Sequence, residues 1–294
     1  MSIIDFHTHI GGGFTIPNIK GVYEVRAEHL IEYMDEVGVE KAVLLSVGDY
    51  WRNYEKLTGL TNELTLEAAS KYPDRIIPFM AVDPGPDAEK KIRELYPKGF
   101  KGFGEYKVDL KFDDPRSIEI FKVCGELGLP VLTHNDPHLH FPDDIDAIER
   151  TLEICSDTIF IFHGPSWWRE ISGKVDYSVG YPSGKVVPGG KVCRILKEYS
   201  NAYADISAGS GYNALNRDRE FAKTFLEENA DKILLGTDFP CLDGKGGQYG
   251  PNKLHLKLLQ SLELDKKVYR KITYENALKI LCLLYTSPSP RDRG

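Results

Sequence analysis

Asp5-Phe6-His7-Thr8-His9 carries two imidazoles two residues apart, directly after the apolar pair Ile3-Ile4. On a β-strand, residues two apart point to the same face. Regular alternation would therefore place Asp5, His7 and His9 on one face and Phe6 and Thr8 on the other. Two imidazoles held side by side on a rigid strand supply half of a metal site. The plainer reading is a polar strand end that happens to hold two histidines. The rest of the chain must decide between them.

Four more residues with suitable chemistry close short apolar runs. They are Glu105 in Gly102-Phe-Gly-Glu-Tyr106, His134 in Leu132-Thr-His-Asn135, His163 in Phe160-Ile-Phe-His-Gly164, and Asp238 in Leu235-Gly-Thr-Asp-Phe-Pro240. Taken singly, each has an ordinary explanation. A histidine at a strand end is usually a hydrogen-bonded loop residue, and a carboxylate after Gly-Thr is often a helix N-cap. Six such residues at strand ends need a common cause.

Apolar runs and helical stripes alternate along the chain. Strands are expected at Ser2–His9, Lys41–Val47, Arg75–Val82, Phe100–Tyr106, Pro130–His134, Thr158–His163, Ala202–Asp205 and Lys232–Gly236. Helices are expected between them, for example at Glu24–Val37, Asn62–Lys71, Pro115–Leu127 and Asp218–Glu228. Several strands are continuous Val/Ile/Leu/Phe runs, as expected when both faces are covered. Eight strands in strict alternation with helices predict an α/β fold, a parallel (β/α)8 TIM-type barrel over residues 1–281. A doubly wound open sheet is the competing arrangement. It lacks support because Gly11-Gly12-Gly13 does not have the G-x-G-x-x-G spacing of a dinucleotide loop; those glycines read as a flexible loop. In a barrel the active site lies at the C-terminal ends of the strands, where all six residues fall.

Composition excludes several function classes. The net charge of −7 gives no basic stripe for nucleic acid. No apolar run approaches the roughly 20 residues needed to span a bilayer. The N-terminus shows no basic-then-apolar leader. Five scattered cysteines form no C-x-x-C pair, so a reducing cytoplasm is the expected compartment. Residues 282–294 read as a tail outside the fold; Leu283-Leu-Tyr-Thr-Ser-Pro-Ser-Pro-Arg-Asp292 resembles translated sequencing-adapter sequence.

With D-x-H-x-H at residues 5–9, Leu127-Gly-Leu-Pro-Val-Leu-Thr-His134, His163 after an apolar strand, and Ile233-Leu-Leu-Gly-Thr-Asp-Phe-Pro240, the chain resembles the amidohydrolase superfamily of metal-dependent barrels. Within it, the likeness is to the amidohydrolase-related (type 2) family. That family contains hydrolases and nonoxidative decarboxylases such as aminocarboxymuconate-semialdehyde decarboxylase. The resemblance runs from Asp5 to about Leu281. It implies that His7, His9, His134 and Asp238 are metal ligands, and that His163 is either a ligand of a second metal or the group that polarises the substrate. Binuclear members bridge their metals through a carboxylated lysine or a glutamate on strand 4. Here that strand offers Glu105 and Lys107, so Glu105 is either a bridge or a supporting group, and one or two ions fit. Imidazole and carboxylate ligands suit zinc first, then manganese or iron.

The implied activity is hydrolysis of an amide, ester or lactone of a small molecule. A divalent cation lowers the pKa of bound water from 15.7 to about 7. Asp238 would take the proton from that water and deliver it to the leaving group. A nonoxidative decarboxylase would use the same residues, with an arginine for the substrate carboxylate. Trp167-Trp168-Arg169, directly after His163, is the candidate substrate contact; its plainer reading is a helix start with aromatic anchors. A third reading is a metal-binding barrel without activity. Among the remaining residues, Asp5 is expected to support the ligands from deeper in the barrel. Residues 172–190 form either a lid or a plain insertion. His138 and His140 read as pocket wall, Asp83 as a turn residue or pocket wall, and His29 and His255 as structural or solvated. A small-molecule substrate, no nucleic acid and no membrane complete the expectations; assembly into a homo-oligomer is left open.

Overall fold

In the computed structural model of the chain, the described residues are 2–12, 24–47, 62–136, 145–240 and 252–286, with side chains to 281. His138, His140, Cys241 and residues 287–294 lie outside them, as does the Cys282 side chain.

Eight strands form one parallel sheet: β1 (Ile4–Thr8), β4 (Lys41–Leu45), β5 (Ile76–Met80), β6 (Gly102–Tyr106), β7 (Val131–His134), β8 (Phe160–His163), β9 (Ala202–Asp205) and β10 (Ile233–Leu234). The first and last strands meet. Phe6 N donates to Leu235 O at 2.8 Å, Asp238 N to His7 O at 2.8 Å, and His9 N to Phe239 O at 2.7 Å. The sheet is thus a closed (β/α)8 barrel, as the alternation predicts. Gly11–Gly12 (β2) and Glu24–Val25 (β3) pair antiparallel beside it, so those two glycines are not the free loop expected.

Two apolar layers hold the barrel. Ala42, Leu44, Phe103, Val131, Phe160 and Phe162 face the helices. Ile4, Phe6, Val43, Leu45, Phe79, Leu132, Ile161, Tyr203 and Leu234 form a second cluster, closed by Ala277, Ile280 and Leu281 of the final helix, Asn276–Thr286. β6 contributes glycines there instead. A Cβ on Gly102 would lie 2.3 Å from the Phe79 ring, so Phe79 fills the space a side chain would need.

Regular alternation fails on β1. Ile4 and Phe6 both join the interior cluster, and the register with β4 shifts between Asp5 and Thr8. A bulge inserts an extra residue and re-aims the side chains after it. Asp5 therefore does not share a face with His7 and His9, contrary to the period-two expectation. β6 shifts likewise between Phe103 and Tyr106, just where Glu105 sits.

Two short helices were not expected, Ala208–Asn216 and Lys266–Arg270; a third, Pro165–Arg169, is the helix of the plainer reading of Trp167-Trp168-Arg169. The sequence Ala-Gly-Ser-Gly-Tyr-Asn-Ala-Leu-Asn has weak intrinsic helix propensity. Its packing supplies what propensity lacks, since Ala214 and Leu215 are fully covered. Among the described residues, no helix is long and apolar enough to cross a membrane.

Candidate metal centre

The six rim residues converge. Nε2 of His7 lies 3.1 Å from Nε2 of His9. Asp238 Oδ1 lies 3.5 Å from the first and 3.4 Å from the second. Glu105 Oε2 lies 3.3 Å from His9 Nε2. The other oxygen of Glu105 faces a second group: His134 Nδ1 at 2.8 Å and His163 Nε2 at 2.9 Å, themselves 2.7 Å apart. Glu105 thus stands between two sets of ring nitrogens.

The surroundings decide which ring nitrogens carry lone pairs. His7 Nδ1 donates to Asp205 Oδ2 at 2.9 Å, and His9 Nδ1 faces Leu45 O at 3.3 Å. In the neutral rings each Nε2 is then an acceptor. Two ring nitrogens and two carboxylate oxygens, all acceptors, point at one spot. Such a set is stable around a cation. A tetrahedral ion with bonds of 2.0–2.1 Å holds its ligand atoms about 3.3 Å apart, which is the spacing seen. His7, His9 and Glu105, and separately Glu105, His134 and His163, could each hold a metal ion, as could His7, His163 and Asp205.

Proton affinities reflect the same field. Burial would drive the His7 imidazole down, but the Asp205 carboxylate outweighs it and lifts it to about 9. Burial would raise Asp205, yet His7 and His163 hold it below the usual carboxylate range. Glu105 is fully enclosed, yet Lys107 and then His134 hold it well below that range; the Lys107 ammonium is 3.9 Å away. Burial keeps His163 below the ordinary histidine value. Asp238 is the open member: its side chain is 21% exposed, against 0% for His7 and 3% for Glu105.

Asp5 touches no imidazole. Its Oδ2 accepts the Thr237 hydroxyl at 2.5 Å and its Oδ1 accepts Thr237 N at 3.0 Å and His7 N at 3.2 Å. Burial lifts its carboxyl to about 7 against these bonds. Asn252 Nδ2 donates to Thr237 O at 2.8 Å. This clamp holds the residue before Asp238, whose own φ of 57° is in the left-handed region. Asp5 therefore supports the site through the backbone.

Asp205 and Ser207 belong to the site and were not singled out from the sequence. Ser207 Oγ lies 3.1 Å from His7 Nδ1 and 3.0 Å from His163 Nδ1, and Ser207 N donates to Asp205 Oδ1 at 2.7 Å. Asp205 ends its strand at the same rim, so the rule that found the other six would have found it. Gly236 leaves room for this arrangement: a Cβ there would lie 2.9 Å from that of His7.

Trp167 and Trp168 are not brought into the cluster. Both are buried in the outer core, where Trp167 stacks on Phe162 at 4.7 Å and Trp168 Nε1 donates to the Asp205 carbonyl at 3.0 Å. Arg169 is buried with its guanidinium 4.8 Å from the Tyr177 ring centroid. Residues 172–190 are tied to the helix pair that follows β9: Val186 N donates to Asp218 Oδ2 and Asn213 Nδ2 to Pro182 O, both at 3.0 Å. His255 is enclosed, its ring nitrogens on the Asn252 and Ala208 carbonyls, a structural role as expected. His29 caps the first helix, its Nδ1 accepting from Arg26 N. Cys124, Cys155 and Cys193 are free thiols.

A barrel whose strand ends gather histidines and carboxylates in this way defines a class, the metal-dependent amidohydrolase barrels. The sequence model of the amidohydrolase family matches residues 4–283, and the chain belongs to that family. A comparison with curated protein sequences gives no match. Among solved structures, a TIM-barrel protein of Bordetella bronchiseptica is similar with a TM-score of 0.69 at 18% identity, over 97% of this chain and 100% of that one. A protein of Acinetobacter baumannii named for 2-pyrone-4,6-dicarboxylic acid hydrolysis, solved with citric acid, gives 0.63 at 16%, over 96% and 99%. A 2,6-dihydroxybenzoate decarboxylase from Rhizobium gives 0.58 at 16%, over 96% and 99%. These likenesses show the shared fold, and the family holds both hydrolases and decarboxylases.

Proposed function

We propose that this chain is a metal-dependent hydrolase of an amide, ester or lactone in a small molecule. The observation that carries the reading is the convergence of acceptors at His7, His9, Glu105 and Asp238, with Asp238 alone open to solvent. His7, His9 and Asp238 would hold a first divalent cation, with zinc the first choice and manganese or iron suited to the same donors. His134, with Glu105 as the shared group, would complete that site or hold a second ion with His163. When bound, the cation supplies Lewis acidity, polarising an oxygen and acidifying water.

The chain's own groups do the rest. The Asp238 carboxylate would accept the proton of the attacking water and return it to the leaving group. Where it holds no second ion, His163, held at Nδ1 by Ser207, presents Nε2 toward the negative charge that develops on the substrate oxygen. Asp5 and Thr237 keep Asp238 in place.

Arg169 favours a second reading, nonoxidative decarboxylation. It is a buried guanidinium five residues after the β8 segment that carries His163 begins its turn, and its fork suits a carboxylate. In that reaction Asp238 or His163 would protonate the carbon that loses carbon dioxide. The zinc-loaded protein is offered lactones, esters, amides and enol or aromatic carboxylic acids in 18O-water. Hydrolysis puts 18O into the product without carbon dioxide, whereas carbon dioxide release assigns a lyase. Bound metal without turnover of either kind would favour the inactive barrel. Asp238→Asn is expected to lower turnover by about 10²–10⁴-fold with the fold retained; wild-type rates in that variant would remove Asp238 from the mechanism.

A further inference from the structure

A cavity of about 400 Å³ opens at the other end of the barrel. Its lining comes from strand starts: Ile4 opens β1, Lys41 opens β4, Ile76 and Ile77 open β5, and Lys101 directly precedes β6. The rim with the histidines lies at the strand ends, so this cavity is separate from the metal centre. Helix Asn62–Lys71 gives it Leu66 and Ser70, and the final helix gives Leu278 and Leu281.

Two properties of the lining narrow what it would take. The walls are aliphatic, and the volume falls in the range of small-molecule sites. Lys41, Lys98 and Lys101 all line it, and among the described residues no aspartate or glutamate does. In a chain of net charge −7, three lysines gathered on one cavity are a local cluster of positive charge. Lys41 Nζ donates to the Asp74 carbonyl at 2.7 Å, which anchors it at the cavity while leaving two of its three protons for another acceptor. Aliphatic chains of lysine also cover apolar surface while the charge stays outside. The cavity therefore asks for an apolar body with one anionic end.

We propose that the base of the barrel is a second binding site, for a single-chain aliphatic carboxylate whose chain lies among Leu66, Ile77, Leu278 and Leu281 and whose carboxylate meets the three lysines. Charge complementarity selects this occupant over a neutral apolar molecule. The site is independent of the reaction at the metal centre.

Decanoate binding to the metal-loaded full chain tests it by titration calorimetry, beside decanol and decylammonium. The expected result is one decanoate per chain, with decanol at least tenfold weaker and no decylammonium binding. The surface pair Lys98→Ala/Lys101→Ala should weaken decanoate at least tenfold. Ser70→Trp, on an exposed helix position at the cavity, should abolish binding. Both variants should keep wild-type far-ultraviolet dichroism and metal content. Equal binding of decanol and decanoate, or decanoate binding unchanged in both variants, would overturn the proposal. So would binding to phosphatidylglycerol vesicles through the same lysines without decanoate binding in solution, which would assign the face to a lipid surface.

Discussion

Asp205 Oδ2 lies 2.9 Å from Nδ1 of His7, with both side chains fully enclosed. The carboxylate holds the Nδ1 proton, so when the Nε2 proton leaves it is the Nε2 lone pair that faces His9 and Asp238. Groups of this kind, behind a ligand, typically change metal affinity by about 10–100-fold when removed. Asp205→Asn is expected to weaken zinc binding by that factor, read by competition with a chromophoric chelator. Unchanged affinity would mean that Asp205 does not orient His7.

The same pair gives the metal-free protein a pH signature. His7 is raised from 6.5 to about 9, so its contribution is complete below pH 6.5 and is lost as pH rises through 9. A shift of that size corresponds to on the order of 3 kcal/mol. Asp5 is raised to about 7, so its own loss is largely over by then, and the window from pH 7 to 9.5 reports His7. Urea denaturation of metal-free wild type and Asp205→Asn should show a stability gap that is larger at pH 7 than at pH 9.5. A gap that is constant or grows with pH would contradict the pairing.

Thr237 links the first strand to the last. Its hydroxyl and amide both donate to Asp5, one residue before Asp238. Thr237→Val keeps the shape and removes a donor from a buried carboxyl, which costs about 1–3 kcal/mol. Chemical denaturation should show that loss, together with reduced turnover, because Asp238 loses its clamp. Stability equal to wild type would mean that Asp5 finds its partners elsewhere.

Gly102 makes room for Phe79, whose ring occupies the place of a Cβ. Gly102→Ala forces Phe79 to move within a filled barrel, and overpacking of this kind costs about 1–3 kcal/mol. The thermal midpoint should fall. An unchanged midpoint would mean that the Phe79 ring relocates without cost.

Much of this was legible in the sequence. Continuous apolar runs such as Lys-Ala-Val-Leu-Leu and Phe-Ile-Phe-His gave strands covered on both faces, and their order gave the barrel. Rim position then picked out His7, His9, Glu105, His134, His163 and Asp238, which the fold brings together. Alternation misplaced Asp5 because it assumes an unbroken strand. A register shift depends on how β4 and the β10 end pair with β1, and no local pattern records it. Trp167 and Trp168 looked like rim residues from their position after His163. The short helix Pro165–Arg169 that holds them turns them back into the core. Asp205 was passed over because it closes a short, unremarkable strand, although its position carried the same information as the others.

The central claim is that the rim cluster holds a divalent cation. Metal content after zinc reconstitution and dialysis, measured by plasma mass spectrometry on wild type and on the His7→Ala/His9→Ala variant, tests it most directly. The expected result is one or two zinc ions per wild-type chain and at least one fewer in the variant, with the far-ultraviolet dichroism of both alike. Wild-type protein that retains no zinc, or a folded variant that retains the full wild-type complement, would contradict the account.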